Sequence, residues 1–320
     1  PGRLIILFAI PLMLGNICQQ LYTMVDTMVV GQVAGVEALA ALGAVDFLMW
    51  VVTGISTGLT QGFSIQLSQY YGAKDFENLR KSLAHSYRLT AFIAAGVLIL
   101  SQSFASLVLT GLHTPSNIIG MSLLYLRIIF CGIPATAAYN MFASALRAMG
   151  NSKTPLTAMI IASVLNVSLD ILFVAGFGWG VAGAAIATVI AQSFSAVYCF
   201  LILRRIDIVH LTRADFMPAS GMNARLMKLG IPVVFQNIII GVGGLVVQYV
   251  INGYGFLFVA GFTATNKLYG LLEMAAISYG YAIVTYVGQN LGAGKIDRIR
   301  KGVRSSMLLS LLTSLIISAA

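Results

Sequence analysis

The sequence predicts an all-α integral membrane protein, a polytopic helical bundle of two pseudo-symmetric six-helix lobes, of which the second is truncated. Three observations lead to this prediction. Hydrophobic residues make up 58% of the 320 residues and charged residues only 9%, whereas a soluble domain has about 25% charged residues. Apolar runs long enough to cross about 30 Å of hydrocarbon recur along the chain. A short sequence element near residue 70 is also repeated near residue 290.

The apolar runs define about nine candidate membrane spans of roughly 20 residues or more each. Their boundaries lie at about 4–30, 40–68, 86–111, 117–143, 154–176, 181–203, 229–251, 257–288 and 303–320. Most of the connections between them are short and contain turn residues. The long polar connection after the sixth span separates the two lobes. We therefore predict an N-terminal lobe at 1–205, a lobe linker at 206–224 and the first three helices of a C-terminal lobe at 225–320.

The repeated element relates the two lobes to each other. The segment 69–74 (QYYGAK) matches the segment 289–295 (QNLGAGK) about 220 residues later, and Asn16 matches Asn237 at nearly the same offset. Duplicated lobes are the usual architecture of a secondary transporter, because rocking one lobe against the other opens a shared cavity to alternate sides. Since the first lobe takes about 220 residues, the repeat also predicts that three further helices complete the second lobe.

Basic residues predict the orientation of the bundle. Of the 19 Lys and Arg residues, 17 lie at the N-terminus or in the connections after even-numbered spans. By the positive-inside rule, the N-terminus and the lobe linker are then cytoplasmic, and the protein is a multi-pass protein of the cytoplasmic (inner) membrane. This distribution accounts for the net charge of +9 without nucleic acid as a partner. The three cysteines have no paired spacing, so neither a disulfide framework nor a zinc site is predicted.

Four polar residues inside the predicted spans form the candidate cation site. Asn166 and Asp170 are one helical turn apart on the same face of the fifth span. With a rise of about 1.5 Å per residue, Thr188 and Asp26 lie at a similar depth in the outer half of the membrane. Two carboxylates, an amide and a hydroxyl at one depth suit either a proton or a small hard cation such as Na⁺. The alternative is that Asp26 caps its helix in interfacial water while the other residues form hydrogen bonds between helices.

Other charged residues of the spans are weaker candidates for lining the cavity. Asp46 lies near the outer end of the second span, where it either joins the cation site or contacts water. Arg127 lies in the fourth span, where we expect it to neutralise a carboxylate of the first lobe. Lys267 and Glu273 lie in the eighth span and are about 240° apart around the helix, so they do not pair with each other. Pro11 removes a backbone hydrogen bond from the first span and is the candidate hinge.

The motifs around these residues resemble the multidrug and toxic compound extrusion (MATE) family. The resemblance is carried by the runs 145–155, 166–173 and 176–188, by LYTMVD at 21–26 and by the repeated element. An acid in the first span, with Asn and Asp one turn apart in the fifth, is similar to the DinF-like branch. This resemblance implies twelve helices in two lobes and cation-coupled drug export. It also implies that Asp26, Asn166, Asp170 and Thr188 match the cation-site positions of the N-terminal lobe.

The expected function is thus antiport, in which H⁺ or Na⁺ flows inward and amphipathic, often cationic compounds leave. We expect a monomer in the lipid bilayer, with small-molecule substrates and no cofactor other than the coupling ion. A lipid-linked sugar flippase of the same architecture is the alternative, but its headgroup favours a cavity rich in Arg. A membrane-embedded enzyme lacks support because no cluster of His, Cys or nucleophile lies at one depth. A passive channel differs from an antiporter in having no substrate-stimulated proton flux. The identity of the substrate and of the coupling ion stays open.

Overall fold

The protein is helical throughout the part of the chain that the structure describes. The structure is a computed structural model that describes residues 1–254 and 256–319, with only the backbone described for some residues between 248 and 275 and for 317–319. The α-helices are α1 (Gly2–Val33), α2 (Val36–Gly43), α3 (Asp46–Ala73), α4 (Phe76–Gly111), α5 (Ile119–Cys131), α6 (Ile133–Ala148), α7 (Lys153–Asp170), α8 (Gly180–Arg204), α9 (Met222–Asn252), α10 (Phe256–Gly292) and α11 (Ile296–Ala319). No strand occurs among the described residues, so the predicted all-α class is confirmed.

Most predicted spans coincide with helices that are long and apolar enough to cross a membrane. Five helical segments meet this condition alone, namely α1, α4, α7 with its continuation to Gly176, α8 and α9. Two more meet it as bent pairs, α2 with α3 and α5 with α6. The eighth and ninth predicted spans coincide with α10 and α11, which the structure describes only in part. The count of nine spans therefore stays a prediction.

The sequence did not predict the bends in the second and fourth spans. The α2–α3 pair bends by 40° and the α5–α6 pair by 47°. At the second bend, Pro134 has no N–H to continue the hydrogen-bond ladder of α5. Gly132 lies at the same bend, where a Cβ would come within 2.6 Å of a Val189 methyl carbon. By contrast, α1 continues through Pro11 without a break.

The helices predicted for the two lobes meet where α3 packs along α9 and α10 and where α1 packs along α10. Gly58 allows this close approach, because a Cβ there would lie 2.8 Å from the backbone nitrogen of Val234. The two asparagines related by the repeat each bond from one predicted lobe to the other, Asn16 from α1 to α10 and Asn237 from α9 to α3. Asn16 donates from Nδ2 to Ser278 Oγ at 3.1 Å, and Asn237 donates from Nδ2 to the Gly54 carbonyl at 3.0 Å. Both are thus polar packing contacts between lobes.

The predicted lobe linker is held against α4, a helix of the predicted N-terminal lobe. It contains two 3₁₀ turns, Asp207–Val209 and Arg213–Phe216. The buried imidazole of His85 on α4 lies 2.7 Å from Asn223 Oδ1 and 3.1 Å from the Met217 carbonyl oxygen. Arg88 donates to the carbonyl of Phe216 at 3.0 Å. The linker therefore lies at the start of α4, at the end of the bundle where Lys74, Lys153 and Lys295 also lie; we call this the basic end.

Candidate functional site

Asp170 lies where α7 changes from an α-helix to a π-helix. The π-helical turn runs over Ile171–Gly176, and in it the Phe177 N–H donates to the Leu172 carbonyl, five residues earlier, at 2.9 Å. Such wide turns occur mostly as single insertions in α-helices, often at functional sites. The turn packs on α8 at Gly183, where a Cβ would lie 3.0 Å from Phe173 Cβ. Close packing of these two segments therefore fixes the position of the Asp170 carboxylate.

Asn166 joins Asp170 to Thr188. The side chains of Asn166 and Asp170 are both completely buried. In the orientation that satisfies its neighbours, the Asn166 amide donates to Asp170 Oδ2 at 3.1 Å and accepts from the Thr188 backbone N–H at 3.3 Å. In this orientation the Asn166 amide oxygen also lies 3.4 Å from Thr188 Oγ1. Three of the four predicted site residues are thus brought together by hydrogen bonds or direct contact.

Asp26 adds a second buried carboxylate to this group. Its side chain is only 4% exposed, so it does not sit in interfacial water as a helix cap would. It interacts electrostatically with Asp170, and α1 packs directly against α7, the π-helical turn and α8. The structure therefore places all four predicted residues in one region of the N-terminal lobe.

The arrangement has unused capacity to bind a cation. Asp170 Oδ1 is buried and has no hydrogen-bond partner among the described residues. The carboxylate of Asp170 also forms no salt bridge with a described cation. An ionised carboxylate left without compensation in a buried position costs several kcal/mol. A proton or a small cation at Oδ1 would remove that cost, and the neutral oxygens of Asn166 and Thr188 suit a hard cation. Within the described residues, no group of three or more His, Cys, Asp or Glu could hold a metal ion.

The remaining predicted residues lie farther from this centre or outside the described side chains. Asp46 is exposed at the start of α3, although it shares with Asp26 and Asp170 an electrostatic interaction with Tyr125. Arg127 is exposed on α5 and forms no salt bridge with a described carboxylate. The side chains of Lys267 and Glu273 lie outside the described residues.

Sequence reasoning missed three polar neighbours of the site. Gln192 donates from Nε2 to the Tyr22 hydroxyl at 3.3 Å, which joins α8 to α1. Tyr22 lies one turn before Asp26, and Gln192 one turn after Thr188, so helical spacing offered a signal for both. Tyr125, buried on α5, is within electrostatic range of both carboxylates. Nothing in its own spacing points to them, because α5 is remote from α1 and α7 in sequence.

Comparison with known proteins gives one consistent family. The MatE family model matches residues 11–172 and 232–320. The probable multidrug resistance protein YpnP of Bacillus subtilis is 32% identical over 295 residues, which cover 92% of this chain and 66% of that protein. The probable multidrug resistance protein YoeA of the same organism is 28% identical, with 95% and 67% of the two chains covered. The chain thus spans about two thirds of the length of these relatives.

The fold also matches that of a solved membrane transporter. An outward-facing structure of a multidrug resistance MATE family transporter of the MOP superfamily superposes with a TM-score of 0.92 at 22% sequence identity. The match covers 100% of this chain and 71% of that one. At this level of identity, the likeness establishes the fold alone.

Proposed function

The chain belongs to the MatE family, and from this membership we propose that it exports amphipathic, often cationic compounds in exchange for a proton or a sodium ion. The multidrug resistance names of its relatives support this substrate class. The chain is a multi-pass membrane protein, and its family is one of transporters rather than enzymes. The basic end faces the cytoplasm in this proposal, because positively charged loops stay on that side.

The buried carboxylates of Asp26 and Asp170 are the observation that carries the cation coupling. Two interacting carboxylates in a buried position repel each other when both are charged. A coupling ion bound between them relieves this repulsion, so filling of the site stabilises one arrangement of the surrounding helices. Asp170 supplies the charge, while Asn166 and Thr188 hold the ion with neutral oxygens. Tyr22 and Gln192 position the side of α1 that carries Asp26.

Helix α1 connects this site to the contact between the lobes. Asp26 lies on the outer half of α1, while Asn16 on the same helix bonds to Ser278 of α10. Nearer the basic end, Ile5, Ala9 and Leu12 form a buried cluster with residues of α10. A change in the position of α1 when the coupling ion binds therefore alters contacts with the second lobe. We expect α1 to bend or rotate at Pro11 in this step, because the proline weakens the helix there.

Competition between the coupling ion and the substrate completes the cycle. The coupling ion and the substrate favour different conformations of the transporter. Binding of either ligand therefore lowers the affinity for the other, and the coupling free energy is the same in both directions. Inward flow of the ion then drives the substrate outward. The flippase alternative calls for several arginines facing a cavity at the depth of the membrane spans, whereas Arg127, the arginine of the fourth predicted span, is exposed on α5 and not in the buried group.

Efflux from vesicles tests this proposal. The purified protein is reconstituted, a fluorescent lipophilic cation is loaded, and proton and sodium gradients are imposed separately. Asp170→Asn keeps size and hydrogen bonding but removes the charge, so we expect normal insertion and loss of gradient-driven efflux. Glu37→Gln, which removes an exposed carboxylate outside the site, is the matched control and keeps efflux. Full efflux by a well-folded Asp170→Asn variant would place the coupling site elsewhere.

A further inference from the structure

A cavity of about 800 Å³ opens between the two lobes at the basic end. This volume is within the range of small-molecule sites. Four cationic side chains line it, Lys74 and Lys153 from the N-terminal lobe and Lys295 and Arg298 from the C-terminal lobe. No acidic residue is among its lining residues. The repeat accounts for part of this pattern, since Lys74 and Lys295 are the final residues of the two matching segments.

None of these four cations has an acidic partner in the described part of the chain. The salt bridges of the described residues join Arg80 to Asp215 and Lys81 to Glu77 only. Like charges around one cavity repel each other, and the repulsion acts between the lobes because each lobe supplies two of the charges. The cavity is therefore suited to an anion and unsuited to a cationic substrate.

The wall formed by α1 adds an apolar side to the cavity. Leu4, Leu7 and Phe8 line it, and Leu4 and Leu7 are 55% and 58% exposed. Exposed leucines at the end of a membrane-spanning helix offer an apolar surface on which a hydrocarbon chain packs favourably. A ligand that satisfies both walls carries an anionic phosphate next to a hydrocarbon chain. Basic pockets between transmembrane helices on the cytoplasmic side commonly bind such headgroups.

We propose that this basic cavity binds the phosphate headgroup of an anionic phospholipid, which bridges the two lobes and stabilises their contact at the basic end. The bridge adds to direct contacts already present there. Gln289 of α10 donates from Nε2 to the Ala148 carbonyl at the end of α6, at 2.8 Å. Removing the lipid leaves four unneutralised cations across this contact, which favours separation of the lobes. The lipid then acts as a regulator of conformation and is not itself exported.

Native mass spectrometry of the purified protein in detergent tests lipid binding directly, so the outcome does not depend on transport. Dioctanoyl phosphatidylglycerol is the probe, and dioctanoyl phosphatidylcholine is the neutral control with the same chains. The Lys74→Gln/Lys295→Gln variant removes one cation from each lobe. Arg204→Gln/Arg205→Gln removes two exposed cations at the basic end that do not line the cavity. A Lys153→Gln/Arg298→Gln variant serves if the first variant is not monodisperse.

We expect saturable binding of phosphatidylglycerol. Either cavity variant should weaken this binding by about tenfold or more, because each removes two of the four cations that attract the phosphate headgroup. The Arg204/Arg205 variant should bind the lipid almost as the parent protein does. Inorganic phosphate at equal concentration should not displace the lipid, and phosphatidylcholine should bind weakly to every variant. Equal losses in the cavity and control variants would overturn the proposal, because general surface charge would then explain binding. Displacement by inorganic phosphate would show an anion site without lipid recognition, which also contradicts the proposal.

Discussion

The glycines of the repeated element offer a sharp test of how the lobes close at the basic end. Gly72 of α3 packs against Gln289 of α10, and Gly292 of α10 packs against Gln69 of α3. A Cβ on Gly72 would overlap the Gln289 carbonyl oxygen and lie 2.6 Å from Gln289 Cα. A Cβ on Gly292 would overlap the Gln69 carbonyl in the same manner. Each repeat therefore places its glycine on the glutamine backbone of the other.

Gly72→Ala should weaken this contact because the overlapping atoms are backbone atoms, which cannot move away by a rotamer change. Overpacking of this kind costs about 1–3 kcal/mol. Since 1.4 kcal/mol is a factor of ten in an equilibrium constant, the population with separated lobes should rise by roughly 5- to 150-fold. The effects of Gly72→Ala and Gly292→Ala should not add fully, because both act on one contact.

Distances between spin labels on the two lobes at the basic end measure this population. Gly280→Ala is the matched control, since a Cβ at that position of α10 meets nothing within 4 Å. We expect the control to keep the distance distribution of the parent protein and Gly72→Ala to shift it to longer distances. Identical distributions in Gly72→Ala and Gly280→Ala would refute the argument that these glycines determine lobe contact.

Three further outcomes follow from the site and the topology. Thr188→Val should reduce ion-coupled efflux by only about fivefold, because one neutral hydrogen bond or ligand contributes about 1 kcal/mol; complete loss of efflux would give Thr188 a larger role than a neutral ligand has. Tyr22→Phe removes the bond from Gln192 and should weaken coupling by a similar factor, with a thermal unfolding midpoint close to the parent value; unchanged efflux would exclude a positioning role. A cysteine placed at 31–35 should react with an impermeant maleimide from outside intact cells, whereas one near Arg213 should not, and the opposite pattern would reverse the orientation.

The sequence allowed the helices and the proximity of the candidate site residues to be predicted, because both follow from local periodicity. Asn166 and Asp170 share a face by helical spacing alone. Thr188 and Asp26 could be placed at the same depth by counting residues from the ends of their spans. The close approach of α3 and α9 at Gly58 agrees with the general preference for small residues where membrane helices pack closely.

Features that depend on contacts between distant segments could not be predicted in this way. Apart from Gly176, no local sequence pattern indicates the π-helical turn at Ile171–Gly176. The turn packs on α8, and this contact is not visible in the sequence. The bond between Tyr22 and Gln192 joins residues 170 positions apart, and only the packed helices bring them together. Arg127 was expected to neutralise a carboxylate, but it lies on the exposed side of α5. Tyr125, two residues earlier, lies on the buried side of the same helix.

Release of the coupling ion on substrate binding tests the central claim most directly. Purified protein in weakly buffered detergent solution, or equilibrated with radioactive sodium, is mixed with a lipophilic cationic substrate, and freed protons or sodium ions are counted per protein. We predict release of one of these ions by the parent protein and by Glu37→Gln, and none by Asp170→Asn. Saturable substrate binding by the parent protein without release of either ion, or equal release by Asp170→Asn, would contradict coupling at the buried carboxylates.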